Sequence, residues 1–329
     1  MVRLLLSFAL AVVLCVSMAA SLGGTPVRLL ALGGASNSTS RSLSWLYPMT
    51  NPVTIVPVFA LPAGTKIAQR GQIMTPRNDS SVFIPTISSS GDGTEVLVCN
   101  VNTKRCASSV SLAGLSVVAL EFDQRTEQLW GVASDLSQPP SSPKYVVFSA
   151  SPVQGNWSAQ ATLQPNATVT WFEAALGPFQ YYLLWRTAAG AFGSRVNITN
   201  PTAGAEPVVR FSSSALPLDI VYNSNSLTNI TGLCGTPSGT TQTIQVCSPD
   251  FAKGTIELPR NGTPWYAATV TPFAAIEQPH FYYYTIVAPN PQPRYNLWIT
   301  NAADGWTISN HTLPAGNMLY AITPLSTLS

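Results

Sequence analysis

The chain has 329 residues, 46% of them hydrophobic and only 9% charged, with a formal net charge of +2. That length fits one large domain or two ordinary ones. So few charges leave no basic stripe to grip phosphates, which excludes nucleic acid as an expected partner.

The first twenty residues, MVRLLLSFALAVVLCVSMAA, place Arg3 ahead of an apolar run that ends in small residues. This is the layout of a secretory signal peptide, with cleavage expected after Ala19 or Ala20. An uncleaved anchor is the competing reading, but the run is short for a membrane span. No later window approaches the unbroken apolar length of a span, and GNMLYAITPLSTLS at the C-terminus lacks the tail of a lipid-anchor signal. Residues 1–20 are therefore expected to be a signal peptide and residues 21–329 one secreted, extracellular domain without a transmembrane segment.

Beyond the leader come short runs rich in Val, Ile, Tyr, Phe, Trp and Thr, punctuated by Gly, Pro, Asn and Ser; these are strand signals. VRLLALGG, LSWLYPM and VTIVPVF are the first three. GQIMTP, SVFIPTIS, EVLVCN and CASSVSL form a set of four. VVALEF, QLWGVAS, KYVVFSAS and WSAQATL form the next. TVTWFEAA, QYYLLWRT, AFGSRVNI and EPVVRFS follow, then LDIVY, NITGLC, TIQVCS and GTIELP. The last set is WYAATV, FYYYTIVA, RYNLWITN and WTISNHTL, trailed by MLYAITP.

The sets begin at Gly71, Val117, Thr168, Leu218 and Trp265, a period of 46 to 51 residues. Four strands per period with no helix between them predict an all-β, six-bladed β-propeller with four-stranded blades. The sixth blade is assembled from the three N-terminal strands and MLYAITP, which removes the open edges of a repeat array. Pro57 falls on the outermost strand of that blade, where proline is acceptable, whereas Pro85 falls on an interior strand and counts against the boundaries there. A two-sheet sandwich competes, but at this length it needs two domains and a linker, and no linker stands out.

Four cysteines follow the leader: Cys99, Cys106, Cys234 and Cys247. An even number in an exported chain predicts two disulfides. CNVNTKRC and CGTPSGTTQTIQVC each read as strand, turn, strand, so the expected pairs are Cys99–Cys106 and Cys234–Cys247. Zinc is not expected, since neither CxxC spacing nor a nearby His occurs. Asn-X-Ser/Thr sequons at Asn37, Asn78, Asn156, Asn166, Asn197, Asn229, Asn261 and Asn310 predict a glycoprotein, with Pro264 weakening the one at Asn261. Attached sugars would hydrate a surface this poor in charge, a hypothesis that solubility after enzymatic deglycosylation tests.

One hairpin carries a resemblance. LEFDQRTEQLWGVASD is similar to the hairpin of secreted propeller repeats of the NHL and YVTN type, through Asp123, Thr126, Leu129, Trp130 and Gly131. The other repeats keep its outline without its letters. The resemblance implies the fold; it implies no function, because propellers host many.

Catalytic chemistry is sparse. The two histidines, His280 and His311, are too few for a His-ligated metal centre, and no GxSxG elbow supplies a serine nucleophile. Of the acids, Asp219 lies near the start of an innermost strand, while Glu121, Asp123 and Glu173 fall toward far ends or turns. Asp219, Asn223 and Asn317 offer some oxygens for a channel cation, but no converging set of four, so no cofactor or metal is expected.

Binding is the remaining class. The connections between second and third strands share one face with those between blades, and include SSSGDG, LSQPPSSPK, CGTPSGTT and VAPNPQPR. An aromatic ring stacking on a pyranose, with arginine reaching its hydroxyls, makes Trp185 with Arg186 and Trp265 with Arg260 candidate sugar contacts, alongside Asp135 and Asp219. In each pair the competing role is packing for the Trp and solvation for the Arg. FYYYT at Phe281–Thr285 reads as core. The expected function is a binding module for an extracellular glycan or protein; the alternative is a channel-centred hydrolase of the lactonase, esterase or glycosidase kind.

Overall fold

The computed structural model describes residues 28–35, 40–50, 52–67, 75–77, 80–212, 216–223, 228–238, 241–258, 265–267, 274–277, 280–288, 294–301, 307–314 and 317–324. The expected signal peptide, Asn37, Asn78, Arg260 and Asn261 lie outside the described residues.

The first strands are β1 (Leu29–Ala35), β2 (Ser42–Tyr47) and β3 (Thr54–Ala60). Next come β4 (Thr75–Arg77), β5 (Ser81–Ile87), β6 (Gly93–Asn100) and β7 (Arg105–Ala113). They are followed by β8 (Leu115–Asp123), β9 (Gln128–Asp135), β10 (Tyr145–Ala150) and β11 (Trp157–Leu163). A further four are β12 (Trp171–Leu176), β13 (Gln180–Thr187), β14 (Gly190–Asn197) and β15 (Val209–Phe211). Then come β16 (Leu216–Tyr222), β17 (Ile230–Ser238), β18 (Thr241–Asp250), β19 (Thr255–Glu257) and β20 (Trp265–Ala267). The last are β21 (Ala274–Glu277), β22 (His280–Ala288), β23 (Arg294–Asn301), β24 (Thr307–Thr312) and β25 (Asn317–Pro324).

They assemble as antiparallel four-stranded meanders, each group of four consecutive strands making its own sheet, with β25 joined to β1, β2 and β3. The innermost strands lie side by side in chain order: β4 beside β8, β8 beside β12, β12 beside β16. This is a β-propeller built of four-stranded antiparallel blades. Its core sits in the gaps between sheets, as in the cluster that joins Trp130 and Tyr145 of one blade to Phe172, Tyr181 and Trp185 of the next. A second strand is covered on both faces, which explains the unbroken apolar runs LWGVA in β9 and YYLLW in β13. Outer strands such as β3 and β11 are largely exposed.

Both disulfides form as expected. Cys99 and Cys106 are direct cross-strand partners on β6 and β7, with Cα atoms 4.0 Å apart. Cys234 and Cys247 bridge β17 and β18 at 5.8 Å. Pro57 occupies the outermost strand. Pro85 lies on β5, whose described pairing with β4 covers Ser81–Phe83. N–H groups two residues apart point the same way along a strand, and that of Ile87 donates to Lys66 O. The missing donor of Pro85 thus faces the same side of β5 as the Ile87 N–H, beyond the described pairs of β4.

Two expectations need correction. The set expected to begin at Trp265 begins instead at β21, while β20 is a fifth strand on β18, pairing Trp265 with Ile244. Only residues 278–279 link β21 to β22, and so tight a hairpin fixes the pairing. AAIE has few β-branched letters, so the stronger strand composition of WYAATV drew the boundary away. CGTPSGTT, expected to be a loop, is mostly strand: β17 runs to Ser238 and β18 starts at Thr241.

Candidate functional site

The ladder that builds the site starts in β12. Cross-strand partners on one face share contact, and Phe172 is the partner of Trp185, which is in turn the partner of Phe192. The three rings stack in a row across β12, β13 and β14, with centroids 6.0 and 6.3 Å apart. Tyr145 of the neighbouring sheet stacks on Phe172 at 5.0 Å. Trp185 is buried to 4% exposure. It helps to line a cleft of about 380 Å³ together with Leu163, Asn166, Thr187, Phe192 and Val208.

The cleft opens where the β11–β12 connection meets the β13–β14 turn. The corresponding connections of the preceding blades meet in the same way. Gly114 N donates to Asp92 O, and Leu136 N donates to Gly114 O. This is the loop face. Arg210 Nη2 donates to Ala189 O at 2.8 Å and fixes the turn that forms the rim. None of the residues lining the cleft is ionisable, and Val208 is 54% exposed. The site is an apolar shelf with amide and hydroxyl groups at its margin. That chemistry suits binding, since small-ligand sites pair apolar walls with a few placed polar groups.

Of the sequence candidates, Trp185 therefore lines a cleft, but Arg186 does not join it. Consecutive strand residues face opposite sides of the sheet. Arg186 lies instead over the ring of its cross-strand partner Trp171, 5.0 Å from the centroid. Burial lowers its pKa, and its buried Nε has no hydrogen-bond partner among the described residues. Asp135 ends β9, where its Oδ1 accepts from the Ser137 hydroxyl and backbone N–H. Those bonds, with Lys144 at 3.9 Å, hold its pKa below the usual carboxylate range. Its role is to shape the β9–β10 loop. The backbone of Trp265 is placed in β20, and Arg260 lies outside the described residues. Phe192 is the residue that sequence reading missed. In the hairpin QYYLLWRT–AA–GAFGSRVN, counting back from the turn puts it opposite Trp185.

The inner strands carry acids. Glu121 lies on β8, Glu173 on β12 and Asp219 on β16, the last two buried to 3% and 5% exposure. Thr75 Oγ1 on β4 donates to Glu121 Oε2 at 3.4 Å and accepts from Phe122 N at 2.9 Å, tying two blades together. Asn223 is committed to its own hairpin, donating to Thr231 Oγ1 at 2.9 Å. Tyr181 is fully buried, and its hydroxyl has no hydrogen-bond partner among the described residues. Burial, then the negative charges of Glu121 and Glu173, push its pKa well above the usual phenol value. Among the described residues no three His, Cys, Asp or Glu converge as a metal site. His311 lies half-buried on β24.

Asn156, Asn166 and Asn229 are exposed, Asn197 is half-buried, and the backbone of Asn310 lies in β24. Asn197 Oδ1 accepts from the sequon hydroxyl of Thr199 at 2.7 Å.

No family model matches the sequence, and no curated protein matches it. Solved structures do match in fold. TolB from Acinetobacter baumannii aligns with a TM-score of 0.59 and 12% identity, covering 90% of this chain and 67% of that one. A chain of a nidogen/laminin complex aligns with a TM-score of 0.55 and 10% identity, over 92% of this chain and 99% of that one. An oligogalacturonate lyase in complex with manganese aligns with a TM-score of 0.50 and 10% identity, over 84% and 71%. At such identities the likeness concerns the fold alone.

Proposed function

We propose that the chain is a secreted glycoprotein that binds an extracellular glycan through the loop-face cleft of a single six-bladed ring, residues 21–329. The observation that carries this reading is the cleft at Trp185 and Phe192, an aromatic shelf without ionisable groups, at the junction of an inter-blade connection and a second-to-third-strand turn. A pyranose presents an apolar face to such rings and hydroxyls to the Thr187 and Gln164 side chains at the margin. The ring is supported by contacts of β21 with β16 and β25, and of β25 with β4, which complete the circuit of inner strands. Secretion is supported by the leader-like residues 1–20 and by the two disulfides. The kinship with NHL and YVTN repeats is supported by Asp123, which accepts from Arg125 N and Thr126 Oγ1 at 3.0 Å and so gives that motif a structural reason.

The test is a printed glycan array probed with the purified chain, bearing and lacking its N-glycans. Binding to a discrete set of glycans is the expected result. A blank array in both states would leave a protein partner, the kind of role met in the nidogen/laminin neighbour.

A second reading, hydrolysis at the channel, rests on the acids Glu121, Glu173 and Asp219 on three successive inner strands. Asp219→Asn discriminates: under the binding reading it leaves array binding intact. A large fall in melting temperature on chelation of calcium would favour the hydrolase.

A further inference from the structure

Asn166 heads the sequon Asn166-Ala167-Thr168 and is itself part of the cleft wall, exposed, one residue beyond a buried Pro165. Of the exposed sequon asparagines, Asn156 and Asn229 line no part of this cleft. We propose that the N-glycan on Asn166 folds over Trp185 and Phe192, so that the chain occupies its own site and admits an outside glycan only when that sugar is absent or trimmed. This deepens the reading of the cleft as a sugar site and rests on it.

The chemistry of attachment is ordinary. A bond forms between Asn166 Nδ2 and the anomeric carbon of the donor sugar, the Nδ2 proton is lost, and the donor's lipid-linked diphosphate leaves with the bonding electrons. The product is a sugar held by a short tether at the mouth of an apolar cleft. Tethering sets an effective concentration on the order of millimolar, so a ring-stacking contact too weak to hold a free sugar still holds this one. Cleft and occupant also answer each other's needs. Val208 is 54% exposed and half-buried Phe192 ends the aromatic row beside the buried Trp185, so the cleft presents apolar surface that a pyranose covers without a charged partner. Asn156, by contrast, sits on the exposed turn before β11, where its side chain donates to Gln154 Oε1.

The test uses the full chain made in a eukaryotic secretory host and treated, folded, with an amidase that releases N-glycans. Site occupancy is followed by mass spectrometry. Release from Asn166 is expected to be about tenfold slower than from Asn156, the protection given by a contact about ten times stronger than its tether concentration requires. In the denatured chain the two rates should converge. Val208→Asp, at an exposed position, should bring the Asn166 rate up to that of Asn156 in the folded protein. An Asn166 found bare, or released as fast as Asn156 in the folded wild-type chain, overturns the proposal. Array binding by the Asn166→Gln chain is scored separately. Its failure would remove the reading of the cleft as an outside-ligand site while leaving the protection result to stand or fall alone.

Discussion

Two ends of one gap behave in opposite ways. Tyr181 and Trp185 lie on the same face of β13, in the same cluster between two blades, about 13 Å apart along the strand. At the Tyr181 end, packing closes completely and traps a hydroxyl beside the charges of Glu121 and Glu173. At the Trp185 end the aromatic row runs out into an open cleft with no charge on its walls. On the inner strands, half-buried Glu121 ties two blades together through Thr75. The open apolar shelf has no such partner among the described residues, which is why the proposal of a binding site rests on it and not on the more conspicuous acids.

The contrast is broken most severely by Trp185→Ala. Removing a ring stacked on both sides should cost about 3–5 kcal/mol, read from urea unfolding. A loss below about 1 kcal/mol would mean that the row of rings does not support the shelf. Asp123→Ala comes next. Its carboxylate closes the β8–β9 hairpin with bonds from Arg125 and Thr126, so about 1–2 kcal/mol should be lost at pH 7. Burial raises the pKa of Asp123, but the bonds from Arg125 and Thr126 outweigh it and leave the value lowered. A lowered folded-state value means stability that is present above about pH 4 and lost as pH falls through the folded pKa. The urea midpoints of wild type and variant should therefore draw together below about pH 4; a constant difference would contradict this.

Tyr181→Phe sharpens the inner end. Deleting an unpartnered hydroxyl should leave stability unchanged or raise it by up to about 1 kcal/mol, whereas a clear loss would show that the hydroxyl is bonded in solution. Ala189→Trp, on the exposed rim turn, should shift stability by no more than about 0.5 kcal/mol while filling the cleft mouth.

Much of this was legible in the sequence, for a physical reason. Strands buried on both faces must be apolar throughout, so QLWGVA and QYYLLW announce second strands, and turns recur at a near-constant period. Hairpin cysteines a few residues apart had one geometrically easy pairing. The start of the last set was missed because AAIE, an inner strand of small residues, has no loud composition, whereas WYAATV does. The site was half visible. Trp185 is identifiable as a candidate, but a strand sends its sequence neighbour Arg186 to the opposite face. Of the companions of Trp185, Phe192 follows from hairpin register counted back from the turn, whereas Asn166 is brought in by a link between blades that only the folded chain shows.

The central claim, that the cleft at Trp185 and Phe192 is the binding site, is tested most directly on a glycan array with the Asn166→Gln chain, carrying or lacking Ala189→Trp. The account predicts binding by the chain lacking Ala189→Trp and none by the chain carrying it, at equal urea midpoints. Equal binding by both would contradict it.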